Sequence, residues 1–246
     1  MVLGGCSGLP PSQAERAAYL ASYIEAHYRD LGQEFVAPVS REEFRTRLNN
    51  TRILFLGDHH QDAALHTKIL ALLSWISKQG KPVVLGIEAI GTQDDQELQD
   101  YLAGKIRLNQ LRRRIANRWS GSWLDSQAVD HDFFQDLLRT ARHNQMPVFP
   151  LEPTPRLNLA SRDIQIARNI RRALRRYPNH LIVIVVGHAH LLGQGHLLAR
   201  IGAPSLAIGA RLSVTLTKKL KSQRPCDTTS FLQTDQGILF FPGRQP

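Results

Sequence analysis

Three histidines and two aspartates fall within nine residues of this chain: Asp58, His59, His60, Asp62 and His66. Imidazoles beside carboxylates supply what metal binding and proton transfer both need, a lone pair near neutral pH and an anion to orient it. The turn Gly187-His188-Ala189-His190 repeats the Gly-x-x-His spacing of Gly57-Asp58-His59-His60. Glu88 closes the apolar run Val83-Val84-Leu85-Gly86-Ile87, and Glu152 closes Pro147 to Leu151. Two chemistries follow. A divalent ion held by His60, Glu88, His190 and His66 would acidify a bound water for attack on an ester or amide, with Asp58 or His66 relaying the proton. Without a metal, His60 would act as the base and Glu88 would orient it. The plain alternative is a set of solvated turn residues and buried histidines that only cap strands.

These residues need strands to hold them. Ile53 to Leu56 is long enough for a buried strand and too short for a helix, and Gly57 stops the run. From Asp62 the apolar positions Leu65, Ile69, Leu72, Leu73 and Ile76 follow helical spacing. The order is strand, glycine turn, helix, which puts Asp58, His59 and His60 at the carboxyl end of a strand, where open parallel sheets bind ligands. Val83 to Ile87 and Leu181 to Val186 are continuous apolar runs of the kind buried on both faces of a parallel sheet. Right-handed crossovers bring Glu88, His60 and His190 to one edge. The prolines around Val148 and Phe149 argue against a central position for that strand.

The remainder is mostly helical. Gln13 to Asp30, Arg41 to Leu48 and His131 to His143 are expected helices, the second opened by Ser40 and Glu43 in a capping-box pattern. Residues 92–127 are expected to form a helical insertion folded over the strand edge, with Trp119 and Trp123 at i, i+4 spacing. Ser161 and Asp163 open a helix whose arginines at 168, 171, 172, 175 and 176 make a solvated face. Val214 to Leu216, Phe231-Leu232 and Ile238 to Phe241 are expected to form an edge hairpin. The fold class is therefore α/β: a largely parallel central sheet with helices on both faces, a helical insertion over the carboxyl edge and a C-terminal edge hairpin. Residues 13–246 form one domain behind a tether, 1–12.

The chain holds 31 Lys+Arg against 21 Asp+Glu, a formal net charge of +10. That balance favours anionic partners without choosing among phosphates, carboxylates, porphyrin propionates and membrane surfaces. No RNP-like aromatic motif, zinc-finger spacing or helix-turn-helix cue accompanies the arginines, so no nucleic-acid partner is expected. Cys6 and Cys226 form no metal-type or C-x-x-C pattern. Leu3-Gly4-Gly5-Cys6 has the form of a bacterial lipobox, which makes Cys6 the candidate lipidation site, although only five residues precede it. Membrane attachment is then by lipid, since no apolar run reaches the ~20 residues of a spanning helix.

The two Gly-x-x-His turns, Glu88 and the Arg162-Asp163 helix start resemble the superfamily of erythromycin esterases, TraB and Tiki proteins and ChaN-like haem-binding lipoproteins. The ChaN-like branch is the nearer likeness, through Leu56 to His60 with His66 following, Leu85-Gly86-Ile87-Glu88, Tyr101-Leu102-Ala103-Gly104, Trp119 to Trp123, Ala141-Arg142 and Gly187 to Pro204. Asp58 stands where the branch has glutamate, and no tyrosine lies between Trp123 and Phe134, where one is usual. The resemblance implies an iron-regulated lipoprotein of the bacterial envelope, facing the periplasm, that binds haem at a surface shared in a homodimer. It also implies metal or catalytic roles for His60, His190 and Glu88, with Arg162 holding an anion. Haem iron needs an axial ligand, an apolar wall and cations for the propionates, parts that His131, His143, Trp119, Trp123 and the arginines offer. Haem binding is the expected function, ahead of hydrolysis and of a binding module with no catalysis, and the sequence leaves the enzyme question open.

Overall fold

The structure, a computed structural model, describes residues 18, 21, 22, 29, 31, 32, 34–118, 123–125, 129–153, 159–191, 197–212, 214–221 and 229–242. The expected helix Gln13 to Asp30 lies largely outside these residues, as do Cys6, Trp119 and Cys226.

Eight strands form one sheet: β1 (Val36–Ser40), β2 (Ile53–Asp58), β3 (Val83–Gly91), β4 (Val148–Glu152), β5 (Leu181–Gly187), β6 (Ser205–Ile208), β7 (Thr229–Thr234) and β8 (Leu239–Phe240). Their spatial order is β1-β7-β8-β6-β2-β5-β3-β4. From β8 to β4 every pairing is parallel, while β7 runs antiparallel to both β1 and β8. The helices are α1 (Arg41–Asn49), α2 (Ala63–Ser77), α3 (Asp95–Leu102), α4 (Leu108–Arg118), α5 (His131–His143), α6 (Leu159–Arg176), α7 (Leu197–Ile201) and α8 (Val214–Lys221).

Alternation along the central strands divides the core in two, because successive side chains of a strand leave opposite faces. Leu54, Leu56, Leu85, Val183 and Val185 pack under α2 and α5, through Ile69, Leu73, Phe134 and Leu137. Ile53, Phe55, Val84, Ile182 and Ile184 pack under α6 and α7, through Ile166, Ile170 and Leu197. Continuous apolar runs were therefore the right signature for strands covered on both sides. Four exposed arginines of α6, at 168, 172, 175 and 176, lie on its solvent side as expected.

Three local expectations change. Val214 to Leu216 begins a helix rather than a strand, with Leu216 buried and Leu220 packed one turn later against the same core. The hairpin β7–β8 does form, but β8 joins β6 and β7 joins β1, so β1 is the edge strand and the hairpin lies inside the sheet. Glu88 does not end its strand: β3 continues to Gly91, and the β3–β4 register breaks between Ile87 and Gly91, where Glu88 sits. The proline-bearing strand β4 is the other edge, as its sequence required.

Gly86 is central to this packing. A Cβ there would lie 2.7 Å from both Ile184 Cδ1, which is buried, and Phe149 Cζ, whose ring is half-buried against the same core. Gly86→Ala is expected to lower stability by about 1–3 kcal/mol through overpacking, read as a drop in the urea midpoint at unchanged slope.

Candidate functional site

Parallel registration sets the site. Asp58 at the end of β2 pairs with Gly187 at the end of β5, and β5 lies between β2 and β3. The two Gly-x-x-His turns are thereby neighbours, with Glu88 one strand further on. Their glycines are there for space. A Cβ on Gly57 would lie 3.0 Å from Leu191 Cδ1 and 3.1 Å from the Ala210 backbone nitrogen. On Gly187 it would lie 3.0 Å from His60 Cε1 and 3.3 Å from Glu88 Oε2. A bare backbone at position 187 is what lets His60 and Glu88 approach the same strand end.

Asp58 is buried and holds two imidazoles. His60 Nδ1 donates to its Oδ2 at 2.6 Å, and His66 Nε2 donates to its Oδ1 at 2.7 Å. The other nitrogen of His66 donates to Asp130 Oδ2 at 2.7 Å, and its ring stacks on Phe133 with centroids 3.9 Å apart. Burial opposes charge on both histidines, but the Asp58 carboxylate, joined at His66 by Asp130, outweighs it and raises both above the usual imidazole range. Burial would likewise raise Asp58, and the two imidazoles hold it below the ordinary carboxylate value instead. Asp62 caps α2 through the Leu65 amide, and Asp130 caps α5 through the Phe133 amide, so two helix starts fix this chain of four groups.

A second cluster surrounds Glu88. Its Oε2 accepts the Gly187 amide at 2.7 Å, and its Oε1 accepts Arg162 at 2.6 Å and lies 3.2 Å from His190 Nε2. Arg162 also donates to Glu152 Oε2 at 2.7 Å, and His190 Nδ1 donates to Asp163 Oδ1. All five side chains are buried. Burial penalises the Glu88 anion, yet the charges of His190 and Arg162 hold its carboxyl far below the usual range. His190, for which burial works the other way, is carried up to about 9 by Glu88 and Asp163.

The sequence-based site is thus assembled, but its members bind one another. Asp58, His60, Glu88, His190 and Arg162 share the carboxyl edge, and Arg162 holds two carboxylates of the protein itself. His66 has given both nitrogens to carboxylates, which leaves no lone pair for a metal. Both oxygens of Glu88 are engaged and both nitrogens of His190 face carboxylates. Among the described residues no group of three or more potential ligands is arranged to hold a metal ion. The sequence reading did not pick out Asp130 or Asp163 as partners; it placed helix starts at His131 and near Asp163, but nothing marked either carboxylate as reaching a histidine.

A more open pair completes the edge. His59 and His188 stack at 5.9 Å with an 11° angle between their rings. Burial lowers both, His188 to about 4, and the Arg211 charge adds to the effect on His59, so both rings are neutral at pH 7. His188 Nδ1 donates to the Asp58 carbonyl at 3.2 Å. His59 Nδ1 has no hydrogen-bond partner among the described residues. Trp123 packs on the His60 ring at 4.5 Å, which brings the end of the helical insertion to this edge. His131 opens α5 with its side chain 39% exposed and 3.7 Å from Asp132.

The pH dependence follows from His190. Its folded pKa is raised from 6.5 to about 9, so its stabilising charge is fully present below pH 6.5 and is lost as pH rises through about 9. Glu88, depressed, keeps its contribution across that whole window and loses it only in acid. The urea midpoint is expected to fall between pH 6.5 and 9, and His190→Gln is expected to lower the midpoint at pH 6.5 and flatten the fall.

Solved structures share the fold. The solved structure of the type III effector HopBA1 is similar at 11% identity and a TM-score of 0.53, over 79% of this chain and 88% of that one. ChaN of Campylobacter jejuni, solved with cofacial haem, is similar at 10% identity and a TM-score of 0.50, over 72% and 89%. RRSP, a MARTX toxin effector domain from Vibrio vulnificus, is 18% identical with a TM-score of 0.50, and this chain covers 45% of it. At these identities the likeness is one of fold. No curated protein matches the sequence. The family described as haem-binding uptake, Tiki superfamily, ChaN matches residues 44–158, which run from α1 past β4 and include Asp58, His60, His66 and Glu88. Over that segment, slightly under half of the chain, the sequence is similar to the ChaN-like proteins of the Tiki superfamily.

Proposed function

We propose that the protein binds haem at the carboxyl edge of its sheet. The observation that carries this is the partly exposed His59 imidazole, neutral at pH 7 and in a segment that matches a haem-binding family. An iron centre needs a neutral imidazole, and of the histidines at this edge His60, His66 and His190 are held by carboxylates. The residues present fit the group: His59 would ligate the iron, Trp123 would form an apolar wall and Arg211 would offer a cation to a propionate. Bound haem would supply the iron and the visible chromophore, while the chain's own part is to orient the ring and screen it from water. His131 is the second candidate ligand, being exposed and near the same helix start as Asp130. Cofacial haem in the Campylobacter jejuni neighbour is the precedent for a haem surface shared by two copies of this chain. In the same proposal Cys6 carries a lipid that tethers the protein to the bacterial envelope, and the haem serves iron uptake.

Haemin titration of the full chain is expected to give a saturable Soret shift, weakened at least tenfold by His59→Ala and little by His131→Ala. The reverse order would move the axial ligand to His131. Absence of any saturable shift in the parent protein would end the haem assignment.

A second function is favoured by one specific feature. The buried Asp58 carboxylate orients His60 Nδ1 at 2.6 Å, and the opposite side of the His60 ring faces the Gly187 and Glu88 end of the site. That is the arrangement of an acid–base histidine with its orienting carboxylate, suited to ester or amide hydrolysis, with His60 serving as base once pH exceeds its raised pKa. On a panel of p-nitrophenyl esters, any turnover by the parent is expected to fall by roughly 10²–10⁴ in His60→Ala; equal turnover would remove His60 from the chemistry.

A further inference from the structure

One cavity is lined by none of the residues of the histidine edge. It lies where α1, α2 and β7 meet and has a volume of about 420 Å³, within the range of small-molecule sites. Phe44, Leu72, Trp75, Phe231 and Phe241 form its walls. The aromatic rings contact one another, with Phe44 and Phe231 centroids 4.3 Å apart, Phe231 and Phe241 5.5 Å, and Phe44 and Trp75 6.1 Å. Phe44 and Phe231 belong to the core, whereas Trp75 and Phe241 are only half-buried. Large rings half-open to a concave space differ from scattered surface hydrophobics, which need no explanation.

The charges around this cavity have one sign. Arg41 and Lys68 line it, and among the described residues no carboxylate does. Lys68 Nζ is 6.0 Å from the Phe241 centroid and donates to the Pro242 carbonyl, a neutral acceptor that leaves its charge in place. Arg45 lies over Trp75 at 5.8 Å, extending the cationic rim on the α1 side. Among the described residues no His, Tyr, Met or Cys lines the cavity, so its described walls offer a haem iron none of its usual protein ligands.

An apolar interior under a cationic rim is complementary to a molecule with an apolar body and one anionic head. We propose that this pocket is a second binding site, independent of the histidine edge, for an amphipathic carboxylate of the fatty-acid class. Phe44, Leu72, Trp75 and Phe231 take the chain, and Arg41 and Lys68 take the carboxylate.

The test is a fluorescence titration of the full chain with cis-parinaric acid. Ala71 is an exposed α2 residue on the pocket wall, so Ala71→Phe narrows the pocket without entering the core. The expected result is saturable binding at one site per chain, weakened at least tenfold by Ala71→Phe and by Arg41→Glu combined with Lys68→Glu. Oleate is expected to displace the probe, whereas the uncharged alcohol of the same chain length displaces it at least tenfold less well. Unchanged circular dichroism and urea midpoints show that the variants remain folded. No saturable binding, or binding indifferent to both variants, overturns the proposal. Displacement of the probe by one equivalent of haemin in His59→Ala would overturn its independence and make the pocket part of the porphyrin surface.

Discussion

The placement of β5 between β2 and β3 is the constraint on which the site depends. It sets two strand ends of like sequence side by side and brings a third strand's carboxylate within reach of both. The Gly187 amide, bonded to Glu88, ties the neighbouring strand ends together beyond the regular ladder. Slipping that register by one residue would turn every apolar side chain of β5 to the opposite face, so the core that fixes the strand also fixes the histidines. Little freedom is left for the site to be built any other way.

Charge is what allows so many ionisable groups to be buried together. An isolated carboxylate inside a protein costs several kcal/mol, and a pair is tolerated only with good geometry and satisfied hydrogen bonds. Here Asp58, Glu88, Glu152 and Asp163 face His60, His66, His190 and Arg162, and each anion touches at least one cation. Removing one member strands the others. The edge is therefore preorganised as a block, while His59 and His188, kept neutral by burial beside it, are the imidazoles whose charge the network does not hold.

Much of this was legible in the sequence because glycine and histidine recur at a strand end twice, and because strands covered on both faces leave unbroken apolar runs. The shared edge of Asp58, His60, Glu88 and His190 follows from those runs plus right-handed crossovers. What the sequence did not disclose is pairing. Spacing shows that His66 is near the start of a helix, not that Asp130, 64 residues later, reaches its ring. β1 escaped notice because Val36 to Ser40 is short, interrupted by Pro38, and forms only against β7 from the far end of the chain. Val214 to Lys221 misled for the opposite reason: β-branched Val214, Thr215 and Thr217 favour strand locally, and the tertiary anchor Leu216 makes a helix of them.

Both outer strands of the sheet carry a proline, Pro38 in β1 and Pro150 in β4. Each removes one N–H from the row that an edge strand would otherwise offer to another chain. Continuous sheet extension is thereby discouraged at both ends, which protects a concentrated protein from strand-to-strand polymerisation. Any lasting association between copies is then left to side-chain surfaces rather than to an extended β ladder.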